Sequence, residues 1–267
     1  MRFCLLVALA ACVTVDPTSS EDTSTAPSTP STPSTTEPTD PTTTTTTTAD
    51  SGTVPIAPGL GAHTLAYYGY GAGISTTLTT DPIDTRASGS TLVVSVGRGD
   101  LSAAVLPTDS AGNAWLQLGT EHVYTLWPSS GTAVYAAPSA VGGAGLTVSV
   151  TAPLSDETTL AMVEVTGGGQ VTDVAWSEIT SGPLTSDSVT TTGPATLVAF
   201  WWGDADGSVG HTATPDGGFT VTDALLDAGS LVQCAAAVKT VDAAGTYDVT
   251  WTATPTQGAQ LWLVAVE

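Results

Sequence analysis

Residues 146–151, Leu-Thr-Val-Ser-Val-Thr, place an apolar side chain at every second position, and residues 247–251, Tyr-Asp-Val-Thr-Trp, do the same. Because successive side chains of a β-strand point to opposite faces, this alternation predicts strands with one buried face. No stretch of the chain shows a convincing helical period with caps. Residues 54–267 are therefore predicted to form an all-β head, an antiparallel β-sandwich or jelly roll.

Other short apolar runs, separated by Gly, Pro, Asp and Asn, fit the same interpretation. The runs that predict strands include Thr91–Val96, Thr132–Ala137, Leu160–Val165, Ala195–Trp202, Phe219–Thr222, Leu231–Val238 and Leu261–Val266.

The chain also contains an internal repeat. Residues 132–166 align without a gap on residues 233–267, at an offset of 101. At an offset of 105, Thr91-Leu-Val93 meets Thr196-Leu-Val198. The matches fall on apolar positions and turn glycines, which a shared fold retains. We therefore predict two related halves, at about residues 64–166 and 171–267.

Two architectures fit this repeat. In the first, which we favour, one large sandwich takes strands for both of its sheets from each half. In the second, two immunoglobulin-like domains of roughly 100 residues follow each other. We favour the first because the only candidate linker, Val165–Val171, is short.

The phrase Thr108-Asp-Ser-Ala-Gly-Asn-Ala-Trp115, followed by Val134-Tyr-Ala-Ala137 and the strand at 147–150, resembles secreted bacterial β-sandwich surface modules. The resemblance extends over most of residues 64–267. It implies a fold and a cell-surface setting, but it assigns no catalytic residue.

Residues 1–11 have the features of a secretory leader. A positive start, Met1-Arg2, precedes an apolar stretch that is too short to span a bilayer. The tetrad Leu9-Ala-Ala-Cys12 resembles the lipobox of bacterial lipoproteins. The resemblance implies cleavage before Cys12 and diacylglycerol on its thiol; an ordinary secretory leader is the alternative. In some Gram-negative lipoproteins, a residue other than Asp after the cysteine, here Val13, indicates the outer membrane.

Residues 12–53 are predicted to be a disordered linker. They consist almost wholly of Thr, Ser, Pro, Asp and Glu, so they cannot bury enough apolar area to offset the entropy of ordering. Such a segment could hold the head away from a membrane surface. Its acidic residues number six, and it carries no Lys or Arg.

The net charge of the chain is −21, with 25 acidic residues against 4 Lys and Arg. The head retains only Arg86, Arg98 and Lys239 as cations. A surface so poor in cations cannot track a phosphate backbone, so a nucleic-acid partner is not expected. Cys4 belongs to the leader, which leaves Cys234 as the one thiol of the head, predicted to be a small buried side chain.

The residues supply only weak candidates for catalysis. There is no Gly-x-Ser-x-Gly motif for an activated serine, and the three histidines are far apart in the sequence. His122 is the best candidate general base. Glu164 and Glu178 lie on predicted strands and could serve as the carboxylate pair of a glycosidase. The repeat favours solvent-facing strand positions instead, because Glu164 aligns with Ala265.

Two binding candidates remain. Asp204, Asp206 and Ser208 alternate ahead of a turn, like the first half of a calcium loop, so calcium is the one cofactor that the sequence suggests. Trp201 and Trp202 are adjacent on a predicted strand. One of them should lie in the core and the other should face outward or lie under a loop. An outward tryptophan could stack on a sugar ring, but structural roles for both are favoured.

These features favour a lipid-anchored surface protein that is not an enzyme, with a β-sandwich head for adhesion or for glycan or matrix binding. The expected location is the outer membrane or cell surface; secretion is the alternative. Two other classes stay open: a carbohydrate-active hydrolase or lyase on a sandwich fold, and a purely structural envelope lipoprotein.

Overall fold

A computed structural model describes residues 58–71, 75–154, 156–204, 210–254 and 257–267. Cys12, the leader and the linker lie outside these residues, as do Asp206 and Ser208. Apart from one turn of 3-10 helix at Leu101–Ala103, the regular structure of the described part is β. None of its helices is long and apolar enough to cross a membrane.

The first half forms a two-sheet sandwich, and every pairing in it is antiparallel. Its strands are β1 Gly59–Tyr68, β2 Thr77–Thr79, β3 Ser88–Arg98, β4 Thr108–Asp109, β5 Leu116–Tyr124, β6 Trp127–Val141, β7 Val148–Thr151 and β8 Thr158–Thr166. The first large sheet has the order β1-β8-β3-β6-β5, and the small sheet facing it has the order β2-β7-β4. The topology is jelly-roll-like, because β1 lies beside β8, β3 beside β6, and β2 beside β7.

The second half repeats this topology. Its strands are β9 Val171–Ile179, β10 Leu184–Thr185, β11 Val189–Thr191, β12 Ala195–Asp204, β13 Thr212–Pro215, β14 Thr220–Leu225, β15 Val232–Val241, β16 Gly245–Tyr247, β17 Thr250–Thr254 and β18 Ala259–Val266. The second large sheet has the equivalent order β9-β18-β12-β15-β14, and β10-β17-β13 matches the small sheet. The β11–β16 pair corresponds to the isolated bridge between Ile83 and Leu146. The predicted all-β fold built from two related halves is therefore confirmed.

Three apolar cores hold these sheets together. The first core lies between the first large sheet and its small sheet, and the second core lies in the same place in the second half. A third core fills the space between the two large sheets and includes Val93, Val163, Phe200, Trp262 and Val264. Both faces of each large sheet are thus covered, which explains why β8 and β18 are buried along nearly their whole length.

The way in which the two halves contribute strands to the sheets differs from the single shared sandwich that the sequence favoured. Each multi-stranded sheet of the described residues takes its strands from one half only. Two complete sandwiches therefore stack through their large sheets, instead of sharing them. The linker between them can be short because Gly167, Gly168 and Gly169 have φ values of 97°, 78° and 111°. These values suit glycine, and a β-carbon at Gly169 would lie 2.7 Å from the Glu267 carbonyl oxygen.

The two halves are related by an approximate two-fold axis. β3 packs against its own counterpart β12, while β8 packs against β15 and β6 packs against β18. The edge strands follow the same rule, with β1 against β14 and β5 against β9. Such reciprocal contacts are the mark of an isologous interface. Gly97 and its counterpart Trp202 meet there, and the indole fills the space that a side chain at Gly97 would need.

The sequence phrase that resembles surface modules forms a turn. The Asp109 carboxylate accepts hydrogen bonds from Ala111 N at 2.8 Å and from Trp115 Nε1 at 2.7 Å. The Asn113 amide donates to the Val141 carbonyl at 2.8 Å. In this structure the phrase stabilises the turn that follows β4.

Candidate functional site

Glu164 is buried inside the first sandwich, so the expectation that it faces solvent is wrong. Its carboxylate accepts hydrogen bonds from Ser90 Oγ at 2.6 Å, Arg86 N at 2.9 Å and Ala62 N at 2.9 Å. These donors satisfy a charge that would otherwise be costly to bury. Glu164 pairs with Leu92 near the start of β3, whereas Glu178 contacts the β5–β6 hairpin at the opposite end of the sheet. The two carboxylates do not form a glycosidase pair.

Trp201 and Trp202 point to opposite faces of β12, as the alternation predicts. Trp201 lies in the second core, and Trp202 lies with Tyr124 and Cys234 between the two large sheets. Their exposed fractions are 0% and 2%. Neither tryptophan faces outward, because the first sandwich covers the face of β12 that carries Trp202.

His122 and Glu178, which lie far apart in the sequence, come together where β5 of one sandwich faces β9 of the other. The His122 ring stacks on Trp176 with the ring centroids 3.7 Å apart and an interplanar angle of 6°. It also meets Trp262 edge-on at 5.2 Å. Burial lowers the pKa of His122, and the charge of Glu178 acts in the opposite direction. The ring is thus biased towards its neutral form.

A chain of hydrogen bonds connects this cluster to the buried interface. Trp262 Nε1 donates to Thr132 Oγ1 at 2.7 Å, and Thr132 Oγ1 donates to Gln260 Oε1 at 2.6 Å. Gln260 Nε2 then donates to the Glu178 carboxylate at 3.1 Å and to the His122 carbonyl at 3.2 Å. Because Thr132 and Gln260 are fully buried, these bonds fix the position of Glu178.

Glu178 is also held by the hairpin between β5 and β6. Thr125 N donates to its two carboxylate oxygens at 3.1 and 3.2 Å, and the Thr125 hydroxyl contacts the same group. Around Thr125 the hairpin exposes large apolar side chains. Trp127 is 59% exposed, Leu126 54% and Val123 50%. We call Val123, Thr125, Leu126, Trp127 and Glu178 the hairpin surface. It combines an accessible indole with a carboxylate that Thr125 and Gln260 hold in place.

The remaining histidines and Cys234 are in structural settings. His63 Nδ1 lies 2.8 Å from Asp223 Oδ2, which joins β1 to β14 across the opposite edge of the interface. His211 Nδ1 lies 2.9 Å from Gln233 Oε1. Burial raises the pKa of the Cys234 thiol to about 12. Cys234 is a buried, unreactive side chain, as the sequence predicts.

Of the candidate calcium ligands, only the backbone of Asp204 lies within the described residues. Asp204 ends β12 and its backbone pairs with Val232, but Asp206 and Ser208 lie outside the described residues. Among the residues that are described, no group of three His, Cys, Asp or Glu side chains could hold a metal ion. Calcium at 204–208 stays a prediction.

Comparison with known proteins does not assign this site. No protein-family model matches the chain, and neither a curated protein nor a solved structure is detectably similar to it.

Sequence reasoning found His122 and Glu178 but missed Trp127 and Gln260. Trp127 carries one signal that could have found it, since Pro128 and two serines follow it and end the apolar run there. Gln260 carries no such signal, because its role depends on which sheet packs against β18.

Proposed function

We propose that this chain is a lipid-anchored surface protein whose β-sandwich head binds neutral glycans or a glycan-rich matrix. The anchor would be Cys12, and residues 12–53 would hold the head away from the membrane. The leader, the Thr/Ser/Pro-rich linker and the resemblance of the head to bacterial surface modules support this setting.

The observation that carries the binding proposal is the exposed indole of Trp127 on the same hairpin whose Thr125 holds the Glu178 carboxylate. A flat aromatic ring packs well on the C–H face of a sugar, while a carboxylate accepts hydrogen bonds from its hydroxyl groups. Thr125 and Gln260 hold that carboxylate in place, so little ordering entropy is lost on binding.

The charge of the head favours a neutral ligand. The described residues contain one ion pair, His63 with Asp223, and a histidine carries charge only when it is protonated. The acidic side chains of the surface are therefore largely uncompensated. Repulsion would disfavour sulfated or uronic-acid polymers at low salt.

Binding to a panel of insoluble and immobilised neutral polysaccharides tests this proposal. Trp127→Ala should weaken binding by at least tenfold, because it removes the exposed ring. Tyr70→Ala is the matched control, since Tyr70 is an aromatic residue that is 68% exposed elsewhere on the head. Equal losses in both variants, or no binding by the wild type, would contradict the proposal.

The same panel addresses the enzyme class. A hydrolase or lyase is the second candidate because His122 and Glu178 lie in one cluster, where one could act as a general acid or base and the other could orient it. Release of soluble sugar by the wild type, abolished in Glu178→Gln, would favour a hydrolase or lyase over a binding protein.

No binding, combined with unchanged adhesion of cells lacking the protein, would favour a structural envelope component.

The anchor is tested by metabolic labelling with a clickable fatty acid. The full chain should take up label and partition into detergent, and Cys12→Ser should do neither. Cys4→Ser is the control, since Cys4 belongs to the predicted leader. Label retained by Cys12→Ser would contradict lipidation at that residue.

A further inference from the structure

Arg98 is a buried cation whose terminal nitrogens lack a well-aligned hydrogen-bond acceptor. It ends β3 and is fully buried in the first sandwich, where Nε donates to the Thr151 carbonyl oxygen at 3.2 Å. Neither Nη1 nor Nη2 has an acceptor in good hydrogen-bond geometry; the polar side chain that the guanidinium interacts with is the Tyr135 hydroxyl. Burying guanidinium donors with so few acceptors is costly, so a fold retains such an arrangement when the group has another use.

The electrostatic neighbours of Arg98 line an open cleft. Tyr135 on β6 and Glu121 on β5 both act on its charge. Both also line a cleft of about 390 Å³ between β5 and the 101–106 loop, together with Gln117. Arg98 lies behind this polar wall, where its guanidinium interacts with the Tyr135 hydroxyl and with the charge of Glu121.

The other wall of the cleft is apolar. Leu101, Ala104, Val105 and Leu106 form it, and Val105 and Leu106 are 53% and 51% exposed. On the polar wall, the Gln117 amide and the Glu121 carboxylate make no hydrogen bond to another described residue. One wall thus offers unused donors and acceptors, while the wall across from it offers C–H groups.

The internal repeat shows that the fold does not require the polar side chains of this cleft. By strand pairing and by the core that each side chain faces, the second half has Gly203, Val221, Ala224 and Ala237 in place of Arg98, Gln117, Glu121 and Tyr135. The second sandwich forms the same sheets without any of these four side chains. Side chains that the half-fold needs in order to form would occur in both halves. Because these four occur only in the first half, we infer that they serve a function of the first half.

We propose that this cleft binds a single neutral sugar residue of the glycan. Glu121 and Gln117 would bond neighbouring hydroxyl groups, Tyr135 would donate from the floor, and Val105 and Leu106 would pack on the ring. Arg98 is a positioning residue. A neutral ligand fits because Arg98 and Glu121 together carry no net charge. The proposal deepens the proposed glycan binding and rests on it, but it names a site separate from the hairpin surface.

The two sites lie on the same edge strand. Glu121 belongs to the cleft and His122 belongs to the cluster against Trp176, because adjacent residues of a strand point to opposite faces. A glycan chain that crosses the β5 edge could contact the cleft and the hairpin surface at the same time.

Hydrogen exchange of the full chain with and without neutral oligosaccharides of the gluco, manno, xylo and chito series tests this. We expect a binding oligosaccharide to slow exchange in residues 101–106 and 117–121. Gln117→Ala and Tyr135→Phe should each weaken binding at least tenfold and remove that protection. Gln117 is exposed, so its variant should keep the wild-type melting temperature. Trp127→Ala should keep the cleft protection with the shortest ligands.

The outcomes separate the two proposals. Protection confined to residues 123–128, with unchanged affinity in Gln117→Ala, would overturn the cleft and leave glycan binding at the hairpin intact. No binding of any oligosaccharide or polysaccharide would overturn both. Equal loss of binding and of melting temperature in Tyr135→Phe, with Gln117→Ala unaffected, would give the cluster a structural role only.

Discussion

At the scale of single residues, burial decides the role of each candidate more than residue type does. Glu164 and Glu178 look alike in the sequence, yet Glu164 is enclosed by three donors inside one sandwich. Glu178 lies at the interface between the sandwiches, next to an exposed hairpin. Alternation along β8 and β9 could not separate them, because it does not show what covers each face of a sheet.

His122 should make stability depend on pH. Its pKa is lowered in the folded protein, so the unfolded chain binds the proton more tightly. The stabilising contribution is therefore complete above the unfolded value of about 6.5 and is lost as pH falls towards the folded pKa. His122→Phe keeps a flat ring against Trp176 but does not titrate. Melting temperatures at pH 7.5 and 5.5 should differ less in His122→Phe than in the wild type. An equal or larger difference in the variant would contradict this assignment.

At the scale of elements, the sequence predicted the central strands and missed most of the edges. β3, β8, β12 and β18 are long apolar runs buried on both faces, so composition alone identifies them. β1 is different, since its side chains are mostly half-buried and show no alternation. The cluster around His122 and the cleft around Tyr135 both depend on which edge strand lies beside or above another. That information comes from packing and not from local pattern.

The close approach of β3 to β12 gives a test of the stacked sheets. A methyl group at Gly97 would overlap the Trp202 indole and the Thr159 hydroxyl, so Gly97→Ala should force the large sheets apart. We expect a loss of about 3 kcal/mol, as for an overpacked core. That loss lowers the melting temperature by about 6–12 °C in a domain of this size.

Gly193→Ala is the matched control for this prediction, because nothing lies within 4 Å of a β-carbon there. We expect its stability to change by less than about 0.5 kcal/mol. Equal stability of the two variants would mean that the two large sheets do not pack as described.

At the scale of the whole molecule, two matching sandwiches form an internal dimer that is symmetric in its backbone but not in its chemistry. The edge where β1 meets β14 carries the His63–Asp223 pair. The equivalent edge, where β5 meets β9, carries the His122–Trp176 stack and the hairpin surface. The proposed ligand surface therefore belongs to one copy of this edge, while the His63–Asp223 pair joins the sandwiches at the other.

The uncompensated acidity of the head should make it more stable in salt. With a net charge of −21 on the chain and few cations to pair, repulsion between carboxylates opposes folding. Raising NaCl from 20 to 500 mM shortens the screening length to a few ångströms and should raise the melting temperature by several degrees. An equal osmolality of glycerol is the control for effects of water activity. A melting temperature that is flat or falls with salt would show that the carboxylates are spaced too widely to repel.

The central claim, that a tethered head binds glycan through the β5–β6 hairpin, is tested most directly by adhesion of living cells. Cells lacking the protein would be complemented with the wild type, Cys12→Ser, Trp127→Ala or Tyr70→Ala, and their attachment to a surface coated with the bound neutral glycan would be counted. The wild type and Tyr70→Ala should restore attachment, whereas Cys12→Ser and Trp127→Ala should not. Full attachment both by cells that carry Cys12→Ser and by cells that carry Trp127→Ala would contradict the account.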